Sequence, residues 1–365
     1  MGRFAARSAE CALSLVLIGD GESPHLLKWA RALAPRVDLW AVSSRGFLPG
    51  FDDCLPSARR LALGTSPQHA GGNLGLLRQL PQVGRWLRAV DADWLHAHYL
   101  TSHGTLALLA KRAYGLRGQI VGSAWGSDIL VTPARSAAYR WLTRRVLRAC
   151  ALTTSDSRHM AERMQELGGA EPMVFPFGLE AMPPAPPSKA PWRFFANRGL
   201  EPIYAPERVI EAFAAVAAVQ PEAELVVAND GSLRGALEAQ VARLGLAQRV
   251  RFTGRLNAEA QAFEYAAARW YLSLPLSDSV AVSVLEAMAH GCLPILSDLP
   301  ANHELAEAGE GVTLLRSLAG LNGHLATLLP SADRLAEQQR QWVAAHGVFE
   351  PAVARFVQRL QSLSS

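Results

Sequence analysis

The segment PLSDSVAVSVLEAMAHGCLPILSD, from Pro275 to Asp298, is the densest run of residues able to do chemistry. Asp278 and Glu286 are separated by seven residues within it. At about 100° per residue, both on one helix would point about 80° apart, so they do not form a same-face acid and base pair. The spacing instead puts Asp278 on a loop, Ser279, Val280 and Ala281 at a helix start, and Glu286 two turns in. A helix start offers unbonded N–H groups and a positive dipole end, which suit a diphosphate. Glu286, an acceptor-only carboxylate, suits ribose hydroxyls.

Other candidates carry less. Gly19 and Gly21 follow an apolar run, but Pro24 stands where a dinucleotide fingerprint needs its third glycine. Their loop is expected either to be a plain turn or to bring backbone N–H groups to a diphosphate or an acceptor. His96 and His98 in HAHY end a strand, and with alternating faces only one is expected to reach a ligand; without further ligands nearby, no metal site is expected. Cys11, Cys54, Cys150 and Cys292 lie far apart with no Cys-x-x-Cys pair, the pattern of a reducing compartment.

The elements that must position these groups alternate. LSLVLIG, VDLWAVSS, WLHAHY, GQIVGSAW and ALTTSD read as strands between helical patterns, which predicts a parallel, doubly wound sheet. The Pro-rich MPPAPPSKAPW interrupts the series, and WRFFAN, AELVVAND, RVRFTG, RWYLSLP and LPILSD then repeat it. The expected organisation is a first Rossmann-like domain over 1–182, a linker over 183–191, a second such domain over 192–345 and a helix over 346–365 that packs back on the first domain. Two such domains facing each other make a cleft at the carboxyl ends of their strands. From about Ala332 to Leu363 the pattern is helical, anchored by Trp342, Val353, Phe356, Val357 and Leu360.

Composition sets limits on function. With 365 residues, half of them hydrophobic and 19% charged, the chain suits two globular domains and is not a disordered segment. The first apolar run is too short for a signal peptide, and no stretch approaches the roughly 20 apolar residues that span a bilayer, so a cytoplasmic protein is expected. Up to Lys189 there are 22 Lys and Arg against 14 Asp and Glu, a net +8; the remainder carries −4. Such asymmetry points the first half toward an anionic surface or acceptor, with the inner membrane face as a docking place, or marks an ordinary solvated surface.

Taken together, Asp278, Glu286, Ala287, Met288, Ala289, Gly291, Pro294 and Ser297-Asp298 resemble the signature of glycosyltransferase family 4. The resemblance implies an α/β GT-B fold and retaining transfer from a nucleotide sugar, UDP-linked by expectation, to a saccharide or lipid-linked hydroxyl. It implies no cofactor, no metal and no nucleic-acid partner. ANRGLEPIYAPERVIEAF resembles the segment with the phosphate-binding Arg, which falls on Arg198. VVANDGSLRGALE resembles a Gly-Asp-Gly-x-Leu stretch, with Asn229 in the first glycine's place and Gly231 in the second, and VRFTGR resembles the nucleobase loop. The family's following Lys is replaced, since Ile203 and Tyr204 stand there, and Arg255, Arg208 and Arg234 are candidates for the second cation.

In IVGSAWGSDIL, Trp125 occupies the place of a His that faces the reacting sugar in many relatives. Trp125 is expected either to stack on a sugar or to be a core aromatic, with Gly126 and Asp128 beside it on the acceptor side. The substituted positions leave room for two rivals, a non-catalytic glycosyltransferase-like subunit and a nucleotide-sugar epimerase.

Overall fold

Ser14–Gly19 (β1) buries all six of its residues, as a strand covered on both faces must. A computed structural model describes residues 13–65, 74–307 and 309–364 of the chain, so Cys11 lies outside the described residues. β1 pairs in parallel with Asp38–Ser43 (β2) and, after Arg60–Ala62 (β3), with Trp94–His98 (β4). Gln119–Ser123 (β5), Cys150–Ser155 (β6) and Met173–Val174 (β7) complete a seven-stranded sheet of order β3-β2-β1-β4-β5-β6-β7.

The second sheet is built from Arg193–Ala196 (β8), Glu224–Ala228 (β9), Val250–Gly254 (β10), Trp270–Ser273 (β11), Leu293–Ser297 (β12) and Thr313–Leu315 (β13). All its pairings are parallel, in the order β10-β9-β8-β11-β12-β13. Alternation along β8 sends Phe194 into the core on one face and Phe195 into the core on the other. The helix Pro206–Ala217 covers the first face and Val282–Ala289 the second. Truncating either phenylalanine to Ala costs about 3–5 kcal/mol by the usual core scale.

The chain divides into two compact units: one runs to Phe175 and resumes at Glu350, the other is Pro176–Phe349. The Pro-rich stretch is bonded to the second unit. Buried Lys189 donates through Nζ to the carbonyls of Tyr265 (2.9 Å) and Ala268 (2.7 Å), and Trp270 Nε1 donates to the Pro191 carbonyl at 2.8 Å. The terminal helical stretch is two helices, Ala332–His346 and Phe349–Ser364. They break where Gly178 meets Gly347: a Cβ on Gly178 would lie 1.7 Å from the Gly347 carbonyl oxygen, and Leu179 pairs with Val348. Val353, Phe356, Val357 and Leu360 are buried in the first unit, Phe356 against Trp29. No helix among the described residues is long and apolar enough to cross a membrane.

Candidate active site

In the second sheet the strand order reverses between β8 and β11, which sets the loops after these strands side by side, the usual ligand position in such sheets. The loop after β8 carries Asn197 and Arg198; the loop after β11 carries Asp278 and leads into the helix Val282–Ala289. Arg198 Nη2 lies 2.7 Å from Asp278 Oδ2, with both side chains less than a fifth exposed. Its Nη1 donates to Ser283 Oγ at 3.3 Å, and its Cζ sits 4.5 Å from the centre of the Tyr204 ring. The guanidinium therefore lies against the first turn of the helix, while the aromatic ring in the missing lysine's neighbourhood supports it from the other side. Burial pushes the Asp278 carboxyl above its usual range, although Arg198 and the Ser279 N–H pull it down. Burial likewise works against the Arg198 charge, but Asp278 and the surrounding tyrosines outweigh it and hold its pKa up.

Ala281 caps the helix with extended backbone and no side-chain bond, so Val282 is the first helical residue. The boundary falls one residue past the expected Ser279–Ala281 start. Asp278 Oδ1 accepts the Ser279 N–H at 3.0 Å, holding the loop in place. Glu286, about one turn in from Val282, accepts the Tyr265 hydroxyl at 3.0 Å. Asn197 Nδ2 donates to that same hydroxyl at 2.8 Å, and Tyr271 donates to Asn197 Oδ1 at 2.7 Å. Burial is the main cause that raises both tyrosine pKa values, so the phenols remain donors and the chain from Tyr271 to Glu286 has one direction. His290 stacks on Tyr265 and is lowered to about 4 by burial, with Lys189 and Arg340 adding to the effect.

Tyr265, Tyr271 and Asn197 escaped the sequence reading. Two of them sit in strand or helix patterns as ordinary apolar-face aromatics, and only Asn197, next to Arg198, carries a local signal.

Gly231 is a close-approach glycine: a Cβ there would lie 2.4 Å from the Leu200 carbonyl oxygen. It lets the loop after β9 lace onto the loop that holds Arg198, with Leu200 N donating to Asp230 O and Leu233 N to Leu200 O. Asn229 keeps the positive φ of the glycine it replaces, at 79°, and its Nδ2 donates to the Asn197 carbonyl.

The three further arginines differ. Arg208 is fixed on the Leu274 carbonyl at 3.0 Å and Arg234 on Glu238, whereas Arg255, exposed just after β10, bonds no described residue.

The first sheet reverses its order between β1 and β4. Here the structure corrects two expectations, on the histidines and on Asp128, while the loop of Gly19 and Gly21 takes the plain-turn alternative. The Gly21 N–H donates to Ser43 Oγ at 2.8 Å, so it is occupied within the fold, and Gly19 packs against Leu26 and His98. His96 and His98 do not point apart: they are two positions apart on one strand, hence on the same face, with ring centroids 4.4 Å apart and both against Trp29. Asp128 is no acceptor-side carboxylate, because it is buried and accepts the N–H groups of Trp125 (3.0 Å) and Leu100 (2.8 Å). Burial raises its pKa while those bonds oppose the shift.

Trp125 is half-buried; its Nε1 donates to His98 Nδ1 at 3.1 Å, and its ring stacks on Tyr99 and lies 4.9 Å from His25. Tyr99 holds φ at +64°, an uncommon backbone for a bulky residue, at the start of the π-helix Tyr99–Gly104. Gly126, at φ +103°, makes the turn that brings Trp125 to this place. Among the described residues, no group of three or more His, Cys, Asp or Glu is placed to hold a metal ion.

Two family models match. Residues 20–178 match the glycosyl transferase 4-like domain and residues 185–343 the glycosyl transferases group 1. None of the curated proteins matches this sequence. Solved structures similar to the chain include HepE of Anabaena in complex with UDP, 14% identical over 95% of this chain and 100% of that one, with a TM-score of 0.73. The sucrose-phosphate synthase of Thermosynechococcus elongatus is 15% identical over 96% and 99%, with a TM-score of 0.78. The lipopolysaccharide outer core galactosyltransferase WaaB is 15% identical over 96% and 100%, with a TM-score of 0.68. At these identities the likeness carries the fold, and the two models, end to end over most of the sequence, carry the family: the chain belongs to glycosyltransferase family 4, of GT-B fold, and is a glycosyltransferase.

Proposed function

We propose that the chain transfers a hexosyl group from a UDP-sugar to a hydroxyl of a saccharide or lipid-linked acceptor, with retention of configuration and without a metal ion, in the synthesis of a cell-surface polysaccharide or glycoconjugate. The observation that carries this reading is the Arg198 guanidinium lying against the first turn of the helix Val282–Ala289. A cation and unbonded helix N–H groups at one point suit a leaving diphosphate, and fixed donors of this kind stabilise charge as it develops. HepE of Anabaena is described with UDP and with UDP-glucose, which supports a UDP-linked donor here.

In this mechanism the incoming diphosphate takes Arg198 over from Asp278, and the released carboxylate turns to the donor sugar. Glu286, oriented by Tyr265, takes the ribose hydroxyls, and Arg255 supplies a second cation. The bond from the anomeric carbon to the diphosphate oxygen breaks as the acceptor oxygen bonds to the same face. The acceptor proton passes to the departing oxygen, so no separate acid and base pair is required. Trp125 offers a ring face to the acceptor sugar.

A panel of nucleotide sugars, scored for donor hydrolysis and transfer with wild type and Glu286→Ala, tests the proposal. Turnover of a UDP-sugar that disappears in the variant is expected. UDP binding with no turnover of any donor would leave the non-catalytic subunit, and epimerised donor without transfer would leave the epimerase.

A further inference from the structure

Between Cys54 and Ser155 the sequence has 13 Lys and Arg but only three acidic residues, Asp91, Asp93 and Asp128. Each of the three is engaged elsewhere: Asp91 pairs with Arg117, Asp93 accepts the Ser14 backbone and hydroxyl, and Asp128 is buried on backbone N–H groups. The helix Thr105–Tyr114 packs between Leu80–Val90 and Ala137–Ala149, so the three lie side by side over one face of the first sheet. None of the three contains an acidic residue.

Their exposed charged positions are all arginines. Arg85 and Arg88 are exposed on the first helix, Arg112 on the second, and Arg140, Arg144, Arg145 and Arg148 on the third; none has a carboxylate partner among the described residues. Among them stand two large apolar groups, Trp141 at 58% exposure under the Arg145 guanidinium and Leu109 at 37%. The inward side of the third helix is uncharged and filled by Thr143, Val146 and Leu147, so these arginines are not needed to close the core.

We propose that this three-helix face docks the protein on an anionic lipid bilayer. A layer of parallel helices presents a broad surface, which fits a plane of negatively charged headgroups, and the charge is of one sign throughout. Trp141 and Leu109 supply what a purely electrostatic contact lacks, an interfacial ring and an aliphatic group that enter the headgroup layer. A nucleic acid or other soluble polyanion would use the arginines and leave Trp141 without a role. The proposal is independent of the donor assignment, which rests on the other unit.

The test is co-sedimentation of the full chain with vesicles of phosphatidylcholine alone and with about one third phosphatidylglycerol, at low and high salt. Binding to the anionic vesicles only, weakened by salt, is expected. Replacing Arg140, Arg144, Arg145 and Arg148 together by Gln lowers the partition coefficient about 100-fold or more, on the usual contribution per cation near such a surface. Quenching of tryptophan emission by brominated lipid falls in Trp141→Phe if that ring enters the bilayer. Unchanged thermal melting and unchanged donor hydrolysis show that the variants fold. Equal partitioning of wild type and the four-Gln variant overturns the proposal, as does tight binding to a soluble polyanion with none to vesicles.

Discussion

The two units reverse their strand order in the same way and fill the crevice at that reversal with opposite chemistry. In the second unit the reversal between β8 and β11 gathers Arg198, Asp278, Glu286 and a chain of phenols. In the first, the reversal between β1 and β4 gathers rings: His98, Tyr99 and Trp125, with the nearby carboxylate of Asp128 tied to backbone. The backbone arrangement thus supplies a place, and the side chains decide its use. A charged crevice suits a diphosphate, whereas an aromatic one with neutral histidines suits the face of a sugar. Burial keeps those histidines uncharged, since it lowers His96 to about 3 and is the first cause lowering His98.

The strongest way to break the comparison is to empty the charged crevice. Arg198→Ala is expected to lower kcat by about 100- to 1000-fold, the scale of removing a preformed donor to a developing anion, and Glu286→Ala to abolish donor use. Turnover within tenfold of wild type in both would show that the second crevice does not hold the donor.

Tyr265→Phe removes the hydroxyl that orients Glu286 and spares the ring. It is expected to raise the donor KM about tenfold with the acceptor KM unchanged, on a bond of about 1.5 kcal/mol to a charged group. Steady-state kinetics with each substrate varied in turn separates the two constants.

Trp125→Ala sharpens the contrast from the other side. The acceptor KM should rise several-fold, by the roughly 1 kcal/mol of a ring contact, while hydrolysis of the donor in the absence of acceptor stays as it is. A matching fall in donor hydrolysis would mean that Trp125 serves the donor.

The last effect concerns stability and leaves turnover aside. The folded protein holds His96 neutral down to about pH 3, while the unfolded chain binds that proton from 6.5 downward. Stability is therefore fully present above 6.5 and is lost progressively as pH falls toward 3, with a slope of up to about 1.4 kcal/mol per unit from this group. His96→Gln keeps a partner for Ser123 Oγ, which the imidazole Nε2 meets at 2.7 Å, and removes the titration. Urea unfolding at pH 7, 6 and 5 should show a shallower decline for the variant; identical slopes would remove His96 as the cause.

Some of this was legible without coordinates. The alternation of buried strand patterns with helical ones determined two doubly wound units, because a parallel sheet buried on both faces requires that pattern. The spacing of Asp278 and Glu286 put one on a loop and the other on a helix, since 3.6 residues per turn admits no same-face alternative. The arginine excess of the first half was also countable, but not that seven of those arginines share the outer face of three adjacent helices.

What the tertiary structure decided is which polar groups have anything left to offer a ligand. Asp128 and Gly21 look available in sequence and are occupied by backbone and Ser43. Tyr265 and Tyr271 look like core aromatics and carry the bonds that orient Glu286. Periodicity reports the side on which a residue lies, but a hydrogen bond depends on atoms from distant segments meeting within about 3 Å, and that distance exists only once the strands are paired.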